Sequence, residues 1–192
     1  MSDINSYTDL RSGDIIVVRN YLVLWNPISW IGALIRLFTG SPWNHAAMVV
    51  EIWGKKYIVE SMAKGVTVRP VSVWAKSNWG RRSKTVMILR YAYSFDYKKM
   101  NMIAFSKVGH TKYWFLGTLF FQAIYNVTRK WIGPKSEQKA GKKMYCSQFV
   151  AWVYDKMFKN FPNWYKTVPN DFTDRSLEFD LIYYGKAKDL MN

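Results

Sequence analysis

The spacing of apolar and polar positions changes character about half-way along the chain. The first half carries apolar runs of strand length. Ile15–Val18 is continuous and β-branched throughout, and His45–Ile52, Lys56–Ser61, Gly65–Pro70 and Thr85–Tyr91 follow it. Ser12-Gly13-Asp14, Asn26-Pro27, Ser41-Pro42 and Gly54 punctuate these runs as turns. One helix interrupts them, from about Ser29, a suitable cap, to Phe38, with Gly40 as its stop. In the second half the period lengthens. Helices are expected over Asp96–Val108, Tyr113–Ile132 and Cys146–Phe158, and an edge strand near Leu181–Tyr184. Strands first and helices later is an α+β order, which predicts a small antiparallel, barrel-like sheet packed by helices. No repeat or linker divides the sequence, so residues 1–192 read as one domain.

Composition narrows the function classes. With 49% hydrophobic and 21% charged residues the chain can bury a core, which removes disordered and low-complexity classes. Aromatic residues reach 18%, more than a small core requires, so some rings are expected at a groove or an interface. Lys and Arg number 28 against 13 Asp and Glu, a net charge of +15 that favours an anionic partner. The pattern lacks zinc-finger spacing and a continuous basic helix, so no specific nucleic-acid partner is expected. Cys146 is the single cysteine, which rules out an internal disulfide and fits a reducing compartment. With His45 and His110 the only histidines, a Cys/His zinc site is not expected, nor any other metal or cofactor. Met1–Asp9 is polar and unlike a signal peptide. Tyr21–Phe38 is broken by Asn26, Pro27 and Arg36, and Tyr113–Tyr125 is too short to cross about 30 Å of hydrocarbon. A cytoplasmic protein with an option of peripheral membrane contact is the expectation.

Three residues carry candidate chemistry. Cys146 opens a segment whose apolar positions Phe149, Val150, Val153, Tyr154, Met157 and Phe158 form one helical face. It therefore lies in the first turn, where free backbone N–H groups and the helix dipole favour a thiolate. A buried, inert cysteine is the alternative at this stage. His45 begins a strand after a Pro-Trp-Asn turn. If Trp53-Gly54 is a two-residue hairpin turn, opposed residue numbers sum to a constant that puts Glu60 across from Ala47 and diagonal to His45, on the same face. A three-residue turn would put it on the other face. Nucleophile, base and a group to orient the base are what thiol acyl transfer requires.

Four motifs in fixed order, Leu10-Arg-Ser-Gly-Asp-Ile-Ile16, His45-Ala-Ala-Met-Val-Val50, Ile58-Val-Glu-Ser61 and Tyr145-Cys-Ser-Gln-Phe-Val150, resemble the circularly permuted NlpC-type cysteine hydrolases, and within them the YiiX-like group of papain-like amidases. Gly109, Tyr113 and the segment Thr167-Val-Pro-Asn-Asp171 are similar to further pieces of that pattern, while an Asp common after the tyrosine is Trp114 here. The resemblance implies a permuted papain-like fold. It implies a hydrolase that forms a thioester on Cys146, with His45 as general base and Glu60 orienting it. Trp43, Tyr113, Tyr145, Lys142 and Lys143 beside these residues are expected to meet the substrate, a peptide, an amide or an acyl lipid. The Lys-rich loop 133–143, with Lys135, Lys139, Lys142 and Lys143, would form a positive rim over the cleft. Two alternatives stay open. One is an acyl hydrolase or acyltransferase working on lipids at an anionic membrane surface, with Trp25, Trp30, Ile31, Leu34, Phe38, Tyr113-Trp-Phe-Leu116, Phe120 and Phe121 as interfacial residues. The other is a basic binding module that keeps the fold without turnover.

Overall fold

The structure, a computed structural model, describes residues 6–19, 27–76, 84–113, 115–136 and 143–191. Six strands, β1 (Ile15–Arg19), β2 (His45–Ile52), β3 (Lys55–Met62), β4 (Gly65–Pro70), β5 (Thr85–Tyr91) and β8 (Phe179–Lys186), form an antiparallel sheet in the order β4-β3-β2-β1-β5-β8. β8 is an edge strand, as expected, and longer than the sequence pattern suggested. β2 and β3 join through Trp53-Gly54, both with positive φ (48° and 74°), the conformation of a type I′ hairpin turn.

Both faces of the sheet are covered, which explains why Ile15–Val18 and Ala46–Val50 are continuous apolar runs and not alternating ones. One face, with Ile15, Val17, Ala46, Met48, Val50 and Val59, packs against the long helix α5 (Cys146–Phe158) through Phe149, Val150, Val153 and Tyr154. The other face, with Ile16, Val18, Ala47, Val49 and Ile58, is closed by Leu10, by the short helix α2 (Val71–Lys76) and by Leu190 near the C-terminus. α2 has no periodic signature in the sequence pattern. A six-residue helix after a proline offers too few turns for one, and the burial of Val71 and Trp74 on the sheet holds it.

The remaining helices are α1 (Pro27–Thr39), α3 (Tyr97–Phe105), α4 (Phe115–Thr128) and α6 (Asn170–Thr173). α3 starts where Asp96 Oδ1 accepts the Lys99 N–H at 3.0 Å. α4 is shorter than the apolar pattern predicts at both ends. Lys112–Tyr113 form β6, which pairs in parallel with β7 (Lys143–Met144), and Arg129 ends the helix at φ 57°. The loop ahead of β6 is tied to the sheet at Gly65. Val66 N–H donates to Thr111 O (3.0 Å), and a Cβ on Gly65, at φ +102°, would stand 2.1 Å from that oxygen. No helix among the described residues is long and apolar enough to cross a membrane.

Candidate active site

The type I′ turn fixes the β2–β3 register, pairing Met48 with Val59, Val49 with Ile58 and Ile52 with Lys55. One step beyond the first of these pairs, away from the turn, lie Ala47 and Glu60, with His45 on the diagonal. The side chains meet: His45 Nε2 is 2.6 Å from Glu60 Oε2. Glu60 is 1% exposed and fully engaged. Arg69 Nη2, from the adjacent strand β4, donates to its other oxygen, and the Trp74 indole N–H donates to Oε2 at 3.4 Å.

The start of α5 is held against this strand end by side chains of the Tyr145-Cys-Ser-Gln segment and its neighbours. Ser61 on β3, next to Glu60, donates to Met144 O (2.8 Å), drawing β7 onto the sheet. Gln148 accepts from the Tyr145 N–H (3.2 Å), the returning half of a capping box, and its amide donates to Tyr165 O. Ser147 Oγ donates to Thr167 O (2.7 Å). Gln122 of α4 donates to Tyr145 Oη (2.7 Å) and Lys166 O (2.9 Å). With the first turn pinned from four sides, the Cys146 thiol, 3% exposed, comes within hydrogen-bonding reach of the His45 ring. Since Glu60 occupies Nε2, Nδ1 is the nitrogen left for the sulfur. The backbone N–H groups of Ala46 and Ser147 also point at the thiol.

These contacts set the charges. Burial penalises an imidazolium, but a Cys146 thiolate beside it and the Glu60 carboxylate behind it push His45 up to about 10. Burial likewise raises a carboxyl, and the hydrogen bonds from His45 and Arg69 more than reverse this, holding Glu60 down to about 2. For Cys146, burial favours the thiol, whereas the His45 cation and the two backbone N–H groups favour the thiolate and lower its pKa overall. These contacts favour a thiolate–imidazolium pair backed by an ionised carboxylate.

Such a pair, on a helix start facing a strand end, is papain-like chemistry with the histidine ahead of the cysteine in the chain. A sequence profile described as the permuted papain-like amidases, YaeF/YiiX, C92 family, matches residues 9–176. The chain belongs to this family. Among solved structures it resembles one titled the crystal structure of metalloprotein YiiX from Escherichia coli O157:H7, DUF1105. That likeness has a TM-score of 0.52 at 19% identity and covers 78% of this chain and 67% of the other, a similarity of fold. No curated protein matches at a significant level. Membership places the chain among amidases of the cysteine-hydrolase type.

The other residues expected at the site of this amidase are distributed differently. Trp43 is buried, its ring edge-on to Tyr184, and Tyr145 is buried with its hydroxyl between Gln122 and Tyr165. Both rings pack the protein interior around the site. Neither presents an exposed ring, because Trp43 packs in the core two residues before His45 and Tyr145 seats the helix start just before Cys146. Lys143 is exposed on β7 opposite Lys112, and the backbone of Tyr113 on β6 pairs with Met144. Lys139, Lys142, Trp114 and Trp25 lie outside the described residues. Arg69 and Trp74 were not anticipated. Arg69 was readable in principle: Ala63-Lys64 joins β3 to β4 as a two-residue turn, which pairs Ile58 with Arg69 and puts Arg69 diagonal to Glu60. The Leu10–Ile16 motif turns out to be architectural. Asp14 is gripped by Arg90 through two hydrogen bonds (2.8 and 2.7 Å), and Ser12 Oγ accepts the Glu51 N–H (2.7 Å).

Proposed function

We propose that this amidase works through Cys146 as nucleophile, His45 as acid–base and Glu60 as the group that orients and charges His45. The observation that supports the reading is His45 in reach of both other groups, with Glu60 on Nε2 and the Cys146 thiol interacting with the same ring. The thiolate attacks the carbonyl carbon of an amide or peptide. As the C–N bond breaks, His45 Nδ1–H passes its proton to the leaving nitrogen, and a thioester remains on Cys146. Water then gives a proton to Nδ1 and attacks the thioester. The acid product departs, and the proton left on His45 restores the ion pair. Arg69 touches neither reactant; it is a positioning residue that keeps Glu60 ionised.

YiiX is described as a metalloprotein, and the donor set here does not suit a metal. His45 Nε2 is taken by Glu60, and the second Glu60 oxygen faces the Arg69 cation. Among the described residues no three His, Cys, Asp or Glu side chains converge as ligands.

The deciding experiment is the pH dependence of iodoacetamide alkylation at Cys146. The wild-type thiol should react with a midpoint well below the ordinary ~8.5, and His45→Ala should return it to that range or above. A slow thiol indifferent to His45 would overturn the reading. Where a substrate is found, Cys146→Ala should abolish its turnover.

A further inference from the structure

Two helices flank the candidate site and pack on each other, α1 and α4. α1 leads through Gly40–Asn44 into His45. α4 is fastened to Tyr145, the residue before Cys146, by Gln122. On an ordinary surface helix the outward face is polar. Here it is apolar. Trp30, Leu34 and Leu37 of α1, spaced by four and three, lie on one side of the helix and are all exposed, Leu37 by 74%. On α4, Phe120 and Val127, seven apart, are exposed by 58% and 85%.

Charge says what covers this face. No Asp or Glu occurs between Asp14 and Glu51 or between Asp96 and Glu137, so both helices and their approaches are free of acidic residues. Arg129, Lys130 and Lys135, all exposed, follow directly after α4. A second copy of the chain would bring the same +15 charge to the contact and be repelled. An anionic bilayer is complementary on both counts: its hydrocarbon boundary accepts the apolar stripe and its headgroups attract the basic rim. At 13 and 14 residues the helices cannot span it, but they can lie in it.

We propose that the α1–α4 face docks this protein on an anionic lipid surface, with the Cys146 end of the molecule at headgroup level. The docking stands on the surface features alone. Its consequence, that substrate reaches Cys146 from the membrane, rests on the amidase reading.

Flotation with vesicles tests it. The full chain should float with vesicles of phosphatidylcholine containing about a third phosphatidylserine, remain behind with pure phosphatidylcholine, and be released by salt. Leu37→Glu/Val127→Glu should lower partitioning at least about tenfold, and Arg129→Glu/Lys130→Glu by about 25-fold or more. Each variant is compared with the wild type by its unfolding transition, so that a folding defect in the first pair leaves the second, at exposed positions beyond the helix, to decide. Wild type failing to float at low salt would overturn the proposal. So would folded variants that float like wild type, or a solution dimer that Leu37→Glu/Val127→Glu splits. The readout is independent of Cys146 chemistry: a protein that floats but alkylates slowly keeps the docking face and loses the amidase reading.

Discussion

Glu60 is shielded from bulk solvent and survives as an anion because each oxygen has a cationic partner, His45 on one and Arg69 on the other. Its charge is transmitted to the reacting atoms only through the imidazole ring. Removing it while keeping its shape, as in Glu60→Gln, should therefore act on His45 first. The chain has just two histidines, so imidazole NMR resolves the effect directly. In the wild type the His45 signal should stay in its protonated form across the neutral range and titrate near 10. In Glu60→Gln the midpoint should fall toward neutral, and turnover should drop by about 100-fold, because less of the enzyme carries the proton the leaving amine needs. Cys146→Ala should lower the same midpoint, since the thiolate is the largest favourable influence on the imidazolium. A His45 signal that ignores both substitutions would mean that the ring is not coupled to either group.

The β2–β3 hairpin links local sequence to this constellation, and it marks where legibility ends. The strands, the α5 boundaries and the diagonal relation of His45 to Glu60 all followed from periods and turn residues, because a two-residue turn fixes register within one hairpin. The approach of Cys146 could not be read that way. A hundred residues separate it from His45, and the contact depends on Ser61 holding Met144 and on helix-to-sheet packing, which no local pattern encodes. Burial of Trp43 and Tyr145 was hidden for the same reason. The two-residue strands β6 and β7 are equally invisible, since two residues carry no period. The hairpin itself contains a flaw that can be tested. Trp53 occupies the left-handed region at φ 48°, with its ring almost wholly in solvent, so it carries backbone strain for no packing return. Trp53→Asn should stabilise the protein by about 0.5–1 kcal/mol, seen as a higher urea midpoint at constant slope, without altering the His45 titration. A lower midpoint would show that the indole contributes more than the turn conformation costs.

At the scale of the whole molecule the site is also a stability element with a defined pH signature. Glu60 has a folded pKa near 2 against 4.5 for the ordinary group, so its contribution is present above 4.5 and is lost as pH falls toward 2. His45 acts in the other direction: raised from 6.5 to about 10, it stabilises fully below 6.5 and loses that contribution as pH rises through 10. Cys146, lowered from 9.0, contributes above 9.0 and progressively less below it, so the two partners of the ion pair oppose each other between 6.5 and 9.0. Asp14 and Asp171 are raised by burial and favour the folded state in acid, and the self-repulsion of a strongly basic chain grows there as well. The raw acid-unfolding curve is thus a composite. Subtracting Glu60→Gln from wild type removes everything the two proteins share. Measured between 4.5 and 6.5, where His45 is protonated in both folded and unfolded wild-type chains, the difference should be about 3 kcal/mol in favour of wild type, the cost of leaving the Arg69 and His45 cations without their buried counter-charge. It should shrink steadily below 4.5 and be nearly gone at 2. A difference that persists unchanged into acid would mean that the substitution acts through packing and that the Glu60 carboxylate is not the anchor of the two cations.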